Sequence, residues 1–299
     1  MTTFADLKNS RKSQFDKLRD GAESINSKSG GQDDDRFWKP TIDAAGNGSA
    51  IIRFLPAPAG EDLPFVRYWD HGFKGPGGWY IENSLTSIGQ EDPVTQYNSR
   101  LWNEDGSEQA KRQARDQKRR LHYISNILVI SDPGNPSNDG KVFLYRYGKK
   151  IFDMINSAMN PEFDDIKPIN PFDMWEGANF RLRARNVEGY RNYDKSTFDS
   201  STAISKIDDE LEHIWSLTYQ LQPFVEPNNF KTYAVLQSRL NRVLGLNTND
   251  NGNDDATTST ASPAWEPPTT ESKAENQQPP AIDDDDDDSL AFFQGLANK

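Results

Sequence analysis

Five or six short runs of β-branched, aromatic or alternating residues, bounded by turn clusters of Gly, Pro, Asn and Asp, predict a β-rich α+β fold. Helical patterns fall between and after those runs, and the composition changes sharply beyond Gly245. The strands suit a small five-stranded β-barrel of the OB type, elaborated with helices and followed by a disordered acidic tail; a β-sandwich is the alternative.

The elements follow in order. Residues 1–35 read as a basic arm: Phe4, Leu7, Phe15 and Leu18 form a sparse helical stripe with Lys8, Arg11, Lys12, Lys17 and Arg19 between them. Ser29-Gly30-Gly31-Gln32 and the aspartates after it mark a boundary. A globular core is expected over 36–246. Its strands are Ala50–Leu55, stopped by Pro56, then Phe65–Trp69 and Gly78–Ile81 across the turn Lys74-Gly75-Pro76-Gly77. Tyr123–Ile130 and Lys141–Tyr147 pair across Asp132-Pro133-Gly134, and Phe180–Val187 alternates apolar with basic residues, as a half-buried strand does. Helices fit 149–159, 207–221 and 229–244. Residues 247–299 are a linker rich in Asn, Asp, Thr, Ser and Pro that runs into the acidic tip.

Of the net charge of −12 over 299 residues, the last fifty account for −10, with twelve acidic residues against Lys273 and Lys299. The acidic pI of 4.8 therefore describes the tail and hides a nearly neutral body. With no cysteine, disulfides, thiolate metal sites and cysteine nucleophiles are excluded. No run has membrane-spanning length and the N-terminus lacks a signal-peptide core, so a soluble cytoplasmic protein is expected. No phosphate loop, serine elbow or HExxH occurs, which argues against an enzyme. A metal-dependent nuclease built on Asp164 and Asp165 is a remote alternative.

The chemistry expected instead is nucleic-acid binding. Lys111–Arg120 holds six basic residues, Arg112, Lys118, Arg119 and Arg120 among them, and leads to Tyr123. Tyr145, Arg146, Lys149 and Lys150 repeat the pairing of aromatic and cation, as do Tyr190, Arg191 and Tyr193. Cations attract phosphates while aromatic faces stack unpaired bases, so recurrence in three segments suits a sequence-tolerant single-strand binder, for DNA or for RNA. In the tail, Asp283, Asp284, Asp285, Asp286, Asp287 and Asp288 precede Phe292 and Phe293, a peptide that a partner reads by charge and then by an apolar anchor. The aspartates also mimic nucleic acid and can compete for a basic groove on their own chain.

The segments Asp70–Lys74, Gly78–Glu82, Asn126–Val129, Gly140–Phe143, Tyr145–Ile151, Trp175–Phe180 and Gly189–Asp194 stand in one order that resembles the helix-destabilising single-stranded DNA-binding proteins of T-even-type bacteriophages. The resemblance runs from about residue 40 to residue 240. It implies an OB-fold core with a basic cleft, cooperative binding along the strand through the arm, and a tail that contacts the phage DNA polymerase, helicase loader and recombination proteins in the host cytoplasm. Carried over by position, the cleft includes Trp102, Lys118, Arg119, Arg120, Tyr123, Tyr145, Tyr190 and Tyr193. Lys8 and Arg11-Lys12-Ser13 loosely match the arm motif for self-association. Members of the family hold zinc through one histidine and three cysteines. Here His71 stands alone, with Ser84, Asp92 and Thr95 at the cysteine positions, so the site is expected to be lost and no metal or cofactor is expected. Packing around Trp79, Tyr80, Val94 and Tyr97 is expected to take its place, with His71 a hydrogen-bonded structural residue.

Overall fold

The computed structural model describes residues 34–246. Residues 34–38 belong to one unit and 39–246 to a second. In the first, Arg36 grips the Asp34 carboxylate through Nε and a terminal nitrogen at 2.7–3.1 Å, just before the two-residue strand β1, Phe37–Trp38.

The second unit is β-rich α+β, as predicted. Its strands are β2 (Gly48–Phe54), β3 (Phe65–Gly75), β4 (Gly78–Asn83), β5 (Arg120–Ser131), β6 (Val142–Tyr147), β7 (Phe180–Val187), β8 (Tyr190–Asn192) and β9 (Thr197–Phe198). Five α-helices accompany them: α1 (Pro93–Arg100), α2 (Glu108–Asp116), α3 (Lys149–Met159), α4 (Asp208–Ser216) and α5 (Tyr233–Leu244). The pairings are antiparallel and run β6-β5-β2-β7-β8, with β3 joined to β5 and β4, and β9 to β7.

Strand β5 is the spine. Its first half pairs with β3, from Arg120 opposite Asp70 to Ser125 opposite Phe65; its second half pairs with β2, from Ile127 opposite Phe54 to Ser131 opposite Ile51. Strand β6 occupies the other edge. Tyr123–Val129 are buried without a break, because both faces of β5 are covered. On one face Phe54 packs against Tyr147, Phe172, Phe180 and Phe198, with ring centroids 5.6–6.4 Å apart. On the other, Leu55, Leu128 and Val142 pack with Ile204 and with Ile214 of α4. Strand β7 keeps the predicted alternation, burying Phe180, Leu182 and Ala184 and turning Arg181 and Arg183 outward.

Arg53 is fully buried on β2. Its guanidinium donates to the Asp173 carbonyl at 2.9 Å and the Thr202 carbonyl at 2.7 Å, so the long loop that follows α3 is tied to the sheet. Burial lowers its pKa, as removal from water disfavours the charged form.

A second core lies under the β3–β4 hairpin. Phe73, Tyr80, Leu85 and Val94 pack with Phe230, Leu236, Leu240 and Val243, and Tyr97 joins from the side. Tyr80, Val94 and Tyr97 thus pack as expected, whereas Trp79 is 41% exposed and belongs to the opposite face of the hairpin. The hairpin tip touches the last turn of α5: Gly77 N–H donates to the Val243 carbonyl at 2.8 Å. A Cβ at Gly77 would meet the Arg242 carbonyl at 2.1 Å and one at Gly75 the Val243 carbonyl at 2.4 Å, so both positions need glycine.

The helices differ from expectation in three places. The 207–221 helix is shorter, Asp208–Ser216, and the 229–244 helix starts at Tyr233, after a 3-10 turn at Pro227–Asn229. Helices α1 and α2 were not expected at all. Asp92 caps α1, accepting from Val94 N and Thr95 N, with Pro93 in the first turn; Ser107 caps α2 through Ala110 N. These caps mark helices of only eight and nine residues, too short for a strong apolar period.

Candidate nucleic-acid interface

The basic stretch before β5 is divided by the fold. Lys111 and Arg115, one turn apart on α2, face the half-buried Trp102 ring at 5.9 and 5.5 Å, and Arg112 points to solvent. Trp102 itself stands on a π-helical turn, Leu101–Asp105. After α2 the chain extends, and Lys118, Arg119 and Arg120 are half-buried in succession.

Side chains of an extended segment alternate, and this separates the triad. The Arg119 guanidinium lies 4.7 Å from the Trp69 ring centre, while Arg120 Nε donates to Asp70 Oδ1 at 2.8 Å. Trp69 and Asp70 are consecutive on β3, so the two arginines serve opposite faces. Asp70 also has His122 Nε2 at 3.1 Å. Burial alone would raise the Asp70 pKa, but His122 and Arg120 outweigh it and hold the carboxyl far below its usual range. Arg146 joins this face by a hydrogen bond to Tyr68, whose ring is 5.4 Å from that of His122.

The tyrosines divide too. Tyr123 is 5% exposed and stacks on Phe152 of α3, the centroids 4.0 Å apart and the rings nearly parallel. Tyr145 is 3% exposed and stacks with Tyr147 at 5.5 Å; Tyr193 is also buried. In this conformation those three rings hold the fold rather than offering open faces. Tyr190, by contrast, is 50% exposed at the start of β8. Glu188 and Gly189 take φ of 54° and 92°, the two positive values of a tight hairpin turn, and the turn lifts Tyr190 into solvent.

Lys149 and Lys150 open α3, and Gly148 gives it no side-chain cap. Cations at a helix N-terminus oppose the macrodipole, an arrangement that an anion placed there would relieve. Lys149 is paired with Asp153 at 2.8 Å and Lys150 donates to Asn192 of β8 at 3.3 Å. On β7, Asp199 and Asp194 neutralise Arg181 and Arg185.

Contacts and register thus link Arg119, Trp69, Arg67, Tyr123, Phe152, Lys149, Lys150 and β8 in one strip. Trp69, Arg67 and Phe152 were not singled out from the sequence. The signal available was that Phe65, Arg67 and Trp69 alternate with Val66 and Tyr68, which places an arginine and a tryptophan on the face of β3 that Tyr123 shares on β5. Asp164 and Asp165 are exposed in the loop after α3, and among the described residues no three acidic or histidine side chains are arranged for a metal ion. Lys8, Arg11, Lys12, the aspartates 283–288, Phe292 and Phe293 lie outside the described residues.

The structure does bring the four positions of the zinc question together. His71 is buried with Nδ1 3.1 Å from the Gln117 carbonyl and Nε2 3.2 Å from Asp92 Oδ1. That carboxylate also accepts from Val94 N, Thr95 N and Leu85 N at 3.0–3.1 Å, and the Thr95 hydroxyl is 3.4 Å away. Ser84 immediately precedes Leu85 and is fully buried. Burial would raise the Asp92 pKa, but the hydrogen bond to His71, its charge and the backbone N–H groups outweigh it and bring it down to about 2. One imidazole, one carboxylate already filled by N–H donors and two hydroxyls do not fit a tetrahedral zinc ion.

The family described as gp32 DNA binding protein like matches residues 46–244. The chain is 40% identical over 244 residues to a single-stranded DNA-binding protein of Enterobacteria phage T2, covering 79% of each. It is 41% identical over 216 residues to one of Enterobacteria phage T4, covering 70% of each. A single-stranded DNA-binding protein of Escherichia phage SV14 is 43% identical over 103 residues, 33% of this chain and 91% of that one. With fold, strip and likeness agreeing over two thirds of its length, the chain belongs to the gp32-like DNA-binding protein family.

Proposed function

We propose that this protein binds single-stranded DNA with little regard to sequence and coats it during phage replication, recombination and repair. The observation that carries the reading is the strip from Arg119 past Trp69 and Phe152 to Lys150, in a chain that shares its family with phage single-stranded DNA-binding proteins. Phosphates follow the cations, and the exposed Tyr190 and the half-buried Trp102 offer aromatic surface. Strands β2, β3, β5, β6 and β7 correspond to an OB-type barrel in this reading; Phe54, Phe65, Tyr123, Tyr147 and Phe180, one from each, support it by meeting in one aromatic cluster. Binding is cooperative through Lys8, Arg11 and Lys12, and the acidic tip with Phe292 and Phe293 recruits replication proteins in the host cytoplasm. The protein is not an enzyme and folds without zinc.

Titration of the full chain with oligo-dT over a salt series tests the central claim. Tight binding whose logarithm falls steeply and linearly with the logarithm of salt is expected. No saturable binding at low salt would overturn it, and tighter binding to oligo-U than to oligo-dT would assign the strip to RNA.

A further inference from the structure

Trp69 gathers two guanidinium groups onto one indole. The Arg67 group is 4.8 Å from the ring centre and the Arg119 group 4.7 Å. Register brings them from opposite directions: Arg67 precedes Trp69 by two residues on β3, and Arg119 precedes Leu121, the cross-strand partner of Trp69, by two. Two like charges on one half-buried ring repel each other. The cation–π attraction offsets part of that cost, and a bound anion would offset more. Arg67 is exposed and makes no ion pair among the described residues.

Beside Arg67 a groove of about 610 Å³ opens, lined by Leu63, Phe65, Ile88, Tyr123 and Phe152. That volume falls within the range of small-molecule sites. Leu63 is 57% exposed at its rim and Phe152, stacked on Tyr123, forms its floor. A cationic clamp next to an aromatic-floored groove matches one nucleotide of an unpaired strand, a phosphate followed by a flat apolar base.

We infer that Arg67, Trp69 and Arg119 form a phosphate clamp on β3, and that the adjoining base enters the groove between Phe152 and Leu63. This subsite rests on the single-strand reading and extends the interface beyond the residues expected from sequence. Trp69 is a positioning residue: its indole holds both guanidinium groups, and it need not touch the strand.

The test titrates oligo-dT against the full chain carrying Arg67→Gln, Trp69→Ala or Trp69→Phe, with melting temperatures measured in parallel. Arg67→Gln should bind about 3- to 10-fold more weakly and flatten the salt slope by about 0.7, the loss of one phosphate contact. Trp69→Ala keeps both charges yet should lose a similar factor, and Trp69→Phe should recover part of it by restoring an aromatic face. An unchanged salt slope and affinity in Arg67→Gln would overturn the subsite, and this variant decides the matter if Trp69→Ala does not fold. A wild-type chain that fails to bind oligo-dT would remove the functional reading itself, a result distinct from wild-type binding with silent variants.

Discussion

Replacing Asp92 with alanine should destabilise the β3–β4 lobe more than any other single truncation of a polar side chain there. The carboxylate caps α1, and losing an N-cap costs about 1 kcal/mol. It also serves the buried Leu85 N–H and His71 Nε2, and each partner left unpaired in the core costs about 1–3 kcal/mol. Together these come to about 3–7 kcal/mol, a large share of the 5–15 kcal/mol that holds a typical domain. For a domain of this size the melting temperature should fall by about 6–28 °C. Urea unfolding followed by tryptophan fluorescence and by circular dichroism measures the loss directly. A double-mutant cycle with His71→Ala should give a coupling of about 1 kcal/mol or more, because the two side chains share one hydrogen bond. An Asp92→Ala protein within about 1 kcal/mol of wild type, with no coupling to His71, would show that the carboxylate does not hold the lobe.

Three further outcomes are expected. The Asp92 carboxyl, lowered from 3.8 to about 2 in the folded chain, contributes about 2 kcal/mol above pH 4 that is lost as pH falls through 2, so acid unfolding should be shallower in Asp92→Asn; equal steepness would contradict this. The wild-type chain should contain no stoichiometric zinc and melt unchanged in EDTA, whereas Ser84→Cys, Asp92→Cys and Thr95→Cys together should bind one zinc per chain with His71, as elemental analysis would show. Tyr190→Ala should weaken oligo-dT binding by about 1–3 kcal/mol with an unchanged melting temperature, while Tyr145→Ala should cost about 3–5 kcal/mol of stability because that ring is enclosed; equal stability of the two variants would contradict their placement.

Local pattern carried much of this fold because the period-2 signal is strong where one face is covered. Phe180–Val187 is such a strand, and its arginines emerge on the predicted side. The same alternation was invisible across Lys118-Arg119-Arg120, where three cations in a row carry no apolar member to report the face. Only the partners Trp69 and Asp70, fifty residues away, assign them. Aromatic side chains are ambiguous for a related reason: Tyr145 and Tyr190 both accompany arginine in the sequence, yet one lies in a ladder between strands and the other follows a hairpin turn. Helices α1 and α2 were hidden because a cap and two turns of helix leave no long period to read. The hydrogen-bonded role of His71 is legible in the sequence, but its partner Asp92 is not, since an aspartate at a ligand position reads as simple loss.

The docked tip of the β3–β4 hairpin has a mechanical consequence. Gly77 is hydrogen-bonded to Val243, three residues before Leu246, where the described chain ends. A pull on the chain beyond Leu246 enters the protein through α5 and is resisted there by the hairpin and by the packing of Leu236, Leu240 and Val243. The load would fall on that helix before it reaches the β5 ladders. Tension at this end would therefore peel α5 from the hairpin lobe first, while the strip along β3, β5 and α3 keeps its shape.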